Sequence, residues 1–308
     1  MLSGLDYSLP DLHLRRGLVL TAGARVQAVE AVVASLSHDA DCDAVAEIER
    51  AVSRLDLNAP YSERAEAGGD EEMTAGHKLS LDLVHLPHTP AAAKLLGVKT
   101  MLEHGLDTNA RWREGRASGV VGATLLASVL WLQGVPDDDK LDLARLLIGR
   151  GLPVNAESVE RSTRASVGTF ILAGAINCPA LQSHSKAQLL SMIVVTGLDV
   201  NAACQQGKDP STTGSTLGAR IAAAAGMEPN DQVAMLTTLV RAGWCPASLS
   251  KRDADKLGNV ATLMRHPALE PAALSELQQE ISKCEAGEWW WAKGKPEQGS
   301  GGAVVGAS

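Results

Sequence analysis

Few residues in this chain have types and spacings suited to chemistry. HDADCDAVAEIER, 38–50, sets Asp39, Asp41 and Asp43 at alternate positions, as at the start of a calcium-binding loop. Such a loop needs glycine for its sharp turn and a bidentate glutamate at its end, and Ala44 and Arg50 stand there instead. Calcium is rejected, and the acids are expected to mark a turn and to favour the next helix N-terminus. LVHLPHTP holds His85 and His88, with His77 and His104 in the same region. Pro87 breaks any regular helical ligand face between them, so the pair is expected to flank a turn between two helices. No GxSxG elbow, GxxxxGK[ST] loop or GxGxxG fingerprint occurs, and GSGG at 299–302 follows no strand and opens no helix. The residues ask for no catalytic group, cofactor or metal, and a hydrolase with unrecognised residues is the rival that a structure would have to revive.

A second set of residues is suited to gripping a protein. RWREGRASG contains Arg111, Trp112, Arg113 and Arg116, and a later segment contains Glu157, Glu160, Arg161 and Arg164. A third contains Gln205, Gln206, Lys208 and Asp209. Arginine and tryptophan anchors dominate interface energetics, which makes Trp112 among arginines a candidate hot spot. The alternative is a solvated loop whose tryptophan packs on its neighbour. Near the C-terminus, Trp289, Trp290 and Trp291 either fold back over the preceding helix or form a docking motif.

Composition bounds the partner. The chain has 308 residues, is 45% hydrophobic and 3% aromatic, and carries a formal net charge of −8 with a pI near 5.5. Backbone binding to nucleic acid or anionic membrane needs clustered cations, so neither is expected, whereas basic tips on an acidic body suit an acidic protein surface. The five cysteines are scattered and form no CxxC pair, which argues against a disulfide scaffold or zinc site and fits a reducing compartment. No secretory signal and no apolar run long enough to span a membrane is visible, so a cytoplasmic location is expected, with delivery by a specialised secretion machine left open.

The elements that must position these residues repeat. GLDTNA, GLPVNA and GLDVNA begin at 105, 151 and 197. Gly76, Gly122, Gly168 and Gly214 advance by the same 46 residues, as do Asn109, Asn155 and Asn201. LDLNA, 55–59, is a degenerate first copy, with Asn58 lying 51 residues before Asn109. Scarce aromatics favour closely packed helices over a β-sandwich. GATLLASVLWLQG, 122–134, predicts a helix buried on more than one side and stopped by Gly134. KLDLARLLIGR, 140–150, predicts a second helix capped by Asp139 and closed by Gly151, with Ser185 and Asp231 as caps in later copies. Each Asn is expected to bond its own neighbouring backbone and fix the exit turn.

LARLLIGRGLPVNA, MIVVTGLDVNA and TMLEHGLDTNA resemble the second half of an ankyrin repeat, and GATLL, GTFIL and GSTLG faintly resemble its opening. The resemblance covers 76–266. The Pro and His of the opening motif are missing, and the 46-residue period exceeds the usual 33. The surplus falls in 110–121, 156–167 and 202–213, predicting long fingers. The resulting expectation is an all-α solenoid of about four helix-turn-helix units, with a HEAT-like solenoid as the structural alternative. Residues 1–75, with helices at 24–37 and 44–54, would cap one end, a helix at 271–287 the other, and 288–308 would be a flexible tail. The resemblance implies non-enzymatic protein binding through fingers and concave face. The Ala-, Gly- and Arg-rich, Lys-poor composition suggests a GC-rich bacterium or its phage, a setting that suits an effector or an inhibitor of another protein. The rival is an assembly component of a virion or secretion machine docking through its tryptophans.

Overall fold

In the computed structural model of the protein, residues 49–61, 73–85, 89–246 and 260–285 are described, apart from 50, 51, 54, 161, 207, 208 and 261. The order is β1 (Pro60–Tyr61), β2 (Met73–Thr74), α1 (Ala75–His85), α2 (Ala91–Glu103), β3 (Arg111–Glu114), β4 (Ala117–Val120), α3 (Val121–Leu130) and α4 (Asp137–Gly149). Then come β5 (Glu157–Glu160), β6 (Thr163–Ser166), α5 (Val167–Asn177), α6 (Ser183–Val195), β7 (Ala203–Gln206), β8 (Asp209–Thr212), α7 (Thr213–Ala223), α8 (Pro229–Arg241) and α9 (Pro271–Glu285). First helices start at 75, 121, 167 and 213, and second helices at 91, 137, 183 and 229. The 46-residue ruler therefore sets the architecture.

The expectation of an all-α solenoid is overturned, and the HEAT-like alternative falls with it. The three connections thought to be loops are β-hairpins, and they join into one six-stranded antiparallel sheet in the order β3-β4-β5-β6-β7-β8. Neighbouring fingers pair through Ser118 with Val159, and through Thr163 and Arg164 with Gln206 and Gln205. The molecule is a mixed α/β stack. First helices α1, α3, α5 and α7 pack in one row, and α4, α6 and α8 in a second that α9 closes. A single apolar core runs through both rows, from Leu83 and Val98 to Leu239 and Leu277.

The repeated glycines have two different duties. Gly105, Gly151, Gly197 and Gly243 end the second helices at φ of 87°, 83°, 100° and 101°, a left-handed conformation that a Cβ resists. Gly76, Gly122, Gly168 and Gly214 instead sit in the first turn of each first helix, against Leu57 and Leu106, Thr108 and Leu152, Val154 and Leu198, and Trp244. Their amides donate to the carbonyls of Leu57, Thr108, Val154 and Val200 at 2.7–2.8 Å, which closes the base of each finger. Leu57 takes the place of Thr108, Val154 and Val200 in this contact, which sets LDLNA in line with the later copies.

The Asn row was expected to bond its own turn. It spans units instead. Asn58 Nδ2 donates to Gly105 O at 2.9 Å and Asn155 Nδ2 to Gly197 O at 2.8 Å, while their Oδ1 atoms accept from the amides of Asp107 and Asp199, both at 2.8 Å. Each asparagine thus ties one exit turn to the next. Asn155→Ala should lower stability by roughly 1–2 kcal/mol in urea titration, since two exposed hydrogen bonds are lost together.

Helix starts also differ from expectation. The second helices begin three residues earlier than expected, so Asp139, Ser185 and Asp231 lie inside the first turn, and the residues at the caps are Pro136, Gln182 and Glu228. The first-position side chains reach across: Asp137 accepts from the Gln182 amide at 2.9 Å and Ser183 from the Glu228 amide at 3.0 Å. Helix α3 stops at Leu130, short of Gly134, which takes its positive φ within the following turn.

At the C-terminal end of the stack, α9 packs on α8. Arg241 of α8 holds it by hydrogen bonds to Glu276 at 2.5 Å and Glu280 at 3.2 Å. Burial pushes the Glu280 carboxyl up, but the hydrogen bonds from Lys283 and Arg241 outweigh this and hold it below its ordinary value. The expected helix at 24–37 and the tail at 288–308 lie outside the described residues; of 44–54, Val52 is described, helical and buried. Cys245 is disulfide-bonded, a bond that the scattered cysteines did not suggest, while Cys178 and Cys204 are free and buried.

Candidate protein-binding surfaces

Strand pairing decides where the finger residues face. Opposed residues share a face of the sheet, and successive residues alternate. Arg111 opposes Val120, Trp112 opposes Gly119 and Arg113 opposes Ser118. Trp112 and the two arginines therefore occupy opposite faces.

Trp112 lies on the helix side. Its Nε1 donates to Thr124 Oγ1 of α3 at 2.9 Å, its rings cover Gly119, and its centroid is 5.5 Å from the buried His77 ring of α1. It is half-buried and joins finger to helices. The packing alternative fits this residue better than the hot-spot one. Trp112→Ala should therefore cost stability, about 3 kcal/mol in a thermal or urea melt. Arg111→Ala and Arg113→Ala should change it by less than about 0.5 kcal/mol.

Arg111, Arg113 and Arg116 are exposed, and none makes an ion pair among the described residues. Gly115, at φ 57°, and Arg116 form the two-residue turn of the first finger. Arg164 shares the face of Arg113 through the row Arg113–Ser118–Val159–Arg164–Gln205. Its Nε lies 3.3 Å from Glu157, with both side chains more than half exposed. Arg161 and Trp289–Trp291 lie outside the described residues, so Arg161 is not placed beside Arg164 and the tryptophans are placed nowhere.

A second surface was not anticipated. The outward sides of the first helices present Thr124, Ala127, Ser128 and Trp131 on α3 and its end, and Phe170, Ala173, Gly174 and Asn177 on α5, each partly or fully exposed. Trp131 is 48% exposed and stands beside Gly174 of the next unit, 3.9 Å from where a Cβ would be. The apolar run around it reads as core, and only its position after the last buried turn distinguishes it.

Buried cations could suggest catalysis. Lys94, Lys140 and Lys186 occupy one position in successive units, and Gln232 takes it in the fourth. Lys140 Nζ donates to Ala180 O at 2.6 Å and Lys186 Nζ to Ile176 O at 3.0 Å. Burial lowers the ammonium pKa of both, with Asp137 and Cys178 partly opposing it. Gln232 Nε2 does the same work for Ile221 and Ala224 carbonyls at 2.8 and 3.1 Å without a charge. Lys186 and Gln232 thus satisfy carbonyls at the end of their own unit's first helix, as helix termini require, whereas Lys140 reaches the turn that follows the first helix of the next unit. No cluster of His, Cys, Asp or Glu suited to a metal occurs among the described residues, and none of their helices is long and apolar enough to cross a membrane.

Compared with known proteins, the chain matches no family model, no curated sequence and no solved structure.

Proposed function

We propose that this chain is a non-enzymatic protein-binding scaffold, an ankyrin-like stack with lengthened fingers. The reading rests on a contrast between its own units. Framework positions recur in every copy: the first-turn glycine, the helix-ending glycine, the bridging asparagine. Exposed positions on the first helices do not, since the place of Trp131 is His85, Asn177 or Ala223 elsewhere. Constant frames carrying varied surfaces suit recognition, in which a rigid stack presents residues along an extended face.

The experiment is capture by the immobilised full chain with mass spectrometry of what is retained. A specific partner should be held by the wild type and lost by roughly tenfold with Trp131→Ala or with Arg111→Ala/Arg113→Ala, because exposed aromatic and arginine anchors dominate interfaces. Melting temperature should be unchanged. If no retained protein responds to any exposed-face substitution, the scaffold reading fails.

A further inference from the structure

The outward face of the sheet has a chemistry of its own. Arg111 and Arg113 are two residues apart on β3, about 7 Å along the strand, and Arg164 lies three strands away from Arg113, about 14 Å across the sheet. All three side chains are exposed. Between them the row holds only Ser118 and Val159, both half-buried. The chain as a whole carries 36 acids against 28 bases, yet Arg111 and Arg113 meet no carboxylate among the described residues. Arg164 meets only Glu157, in an exposed pair of the kind that exchanges readily for another carboxylate.

We propose that this outward sheet face, through Arg111, Arg113 and Arg164, binds an acidic extended segment of a partner protein. An extended chain presents same-side groups every 7 Å or so; laid along β3 it meets Arg111 and Arg113, and laid across the strands it meets Arg113 and, two spacings on, Arg164. The planar guanidinium fork binds carboxylates in pairs of hydrogen bonds, so alternate acids suit alternate arginines. A nucleic acid is the poorer occupant. No aromatic stands on the described part of this face to stack a base, since Trp112 is turned to the other side, and the acidic body repels a continuous phosphate backbone. The inference deepens the scaffold reading and rests on it.

The test uses the full chain and a labelled peptide of alternating Glu and Ala, about twelve residues long, followed by fluorescence anisotropy. The peptide should bind saturably and weaken with salt, as surface charge pairs do. The Arg111→Ala/Arg113→Ala double variant should weaken binding by about tenfold or more, and Arg164→Ala by about threefold, with wild-type melting curves throughout. Arg145→Ala, whose ion pair with Asp142 lies on α4, should bind as wild type. Absence of saturable binding, or unchanged affinity in the double variant, would overturn the proposal. So would tighter binding of an oligouridylate of similar length, or self-association of the wild type that the double variant loses. Failure here with Trp131-dependent capture intact leaves the scaffold reading standing.

Discussion

Trp244→Leu should destabilise the protein by about 3 kcal/mol, and adding Gly218→Leu should restore much of that loss. The argument comes from comparing units. Trp244 occupies the position held by Leu106, Leu152 and Leu198, each packed on a first-turn glycine. In the fourth unit the indole needs more room. Gly218 supplies it where other units have Ser80, Leu126 and Leu172: a Cβ there would stand 2.7 Å from Trp244 Cζ2 and against its Cη2. Trp244 is 1% exposed, so shortening it opens a cavity in the core. Gly218→Leu alone drives side-chain atoms into the indole and should cost more than about 3 kcal/mol. Together the two substitutions recreate the pairing of Leu126 with Leu152 and of Leu172 with Leu198. Urea unfolding of the four proteins should give a favourable coupling of about 2 kcal/mol or more. Additive losses would mean that the fourth unit is shaped by something other than this exchange of volume.

The same comparison shows what the sequence makes legible. Framework residues serve local or next-unit contacts that recur at a fixed spacing, so the period, the helix pairs and the closing helix can be read from the chain. The sheet could not be read this way. Each strand has four residues, and its identity depends on a partner finger some 40 residues away, as with Ser118 and Val159. One local signal was present: Gly115–Arg116 between two alternating runs is hairpin chemistry. Recognising it would have separated Trp112 from its arginines by alternation alone. Buried lysines were also illegible, because lysine is ordinarily a surface residue and only the carbonyls of a neighbouring unit give Lys140 its place. Trp131 was hidden for the opposite reason, inside an apolar run whose last residue leaves the core. The pairing of neighbouring fingers and the place of Lys140 share a cause: each depends on the next unit, of which the local sequence carries no record.

Acidification should weaken the fold through one residue, and His77→Leu should remove that sensitivity. His77 is 1% exposed in the first turn of α1, its ring tilted by 39° against Trp112. Neither ring nitrogen has a hydrogen-bond partner among the described residues. Burial lowers its pKa from 6.5 to about 4, since a charged imidazolium would be stranded there. Between those values the unfolded chain binds a proton that the folded chain does not. Stability therefore rises with pH across the window and falls as pH drops from 6.5 to 4. The gap corresponds to about 3 kcal/mol, fully lost below pH 4. Glu280 also loses stability in acid, because its folded pKa is depressed, so the measurement must be a difference between proteins. Urea titrations at pH 7, 6, 5 and 4 should show His77→Leu holding nearly level where the wild type declines. At pH 7 the variant should be more stable by about 1 kcal/mol, because two unpaired buried nitrogens are gone. Parallel pH profiles for the two proteins would show that His77 is solvated, and the junction between α1 and the first finger would then be wetter than its packing implies.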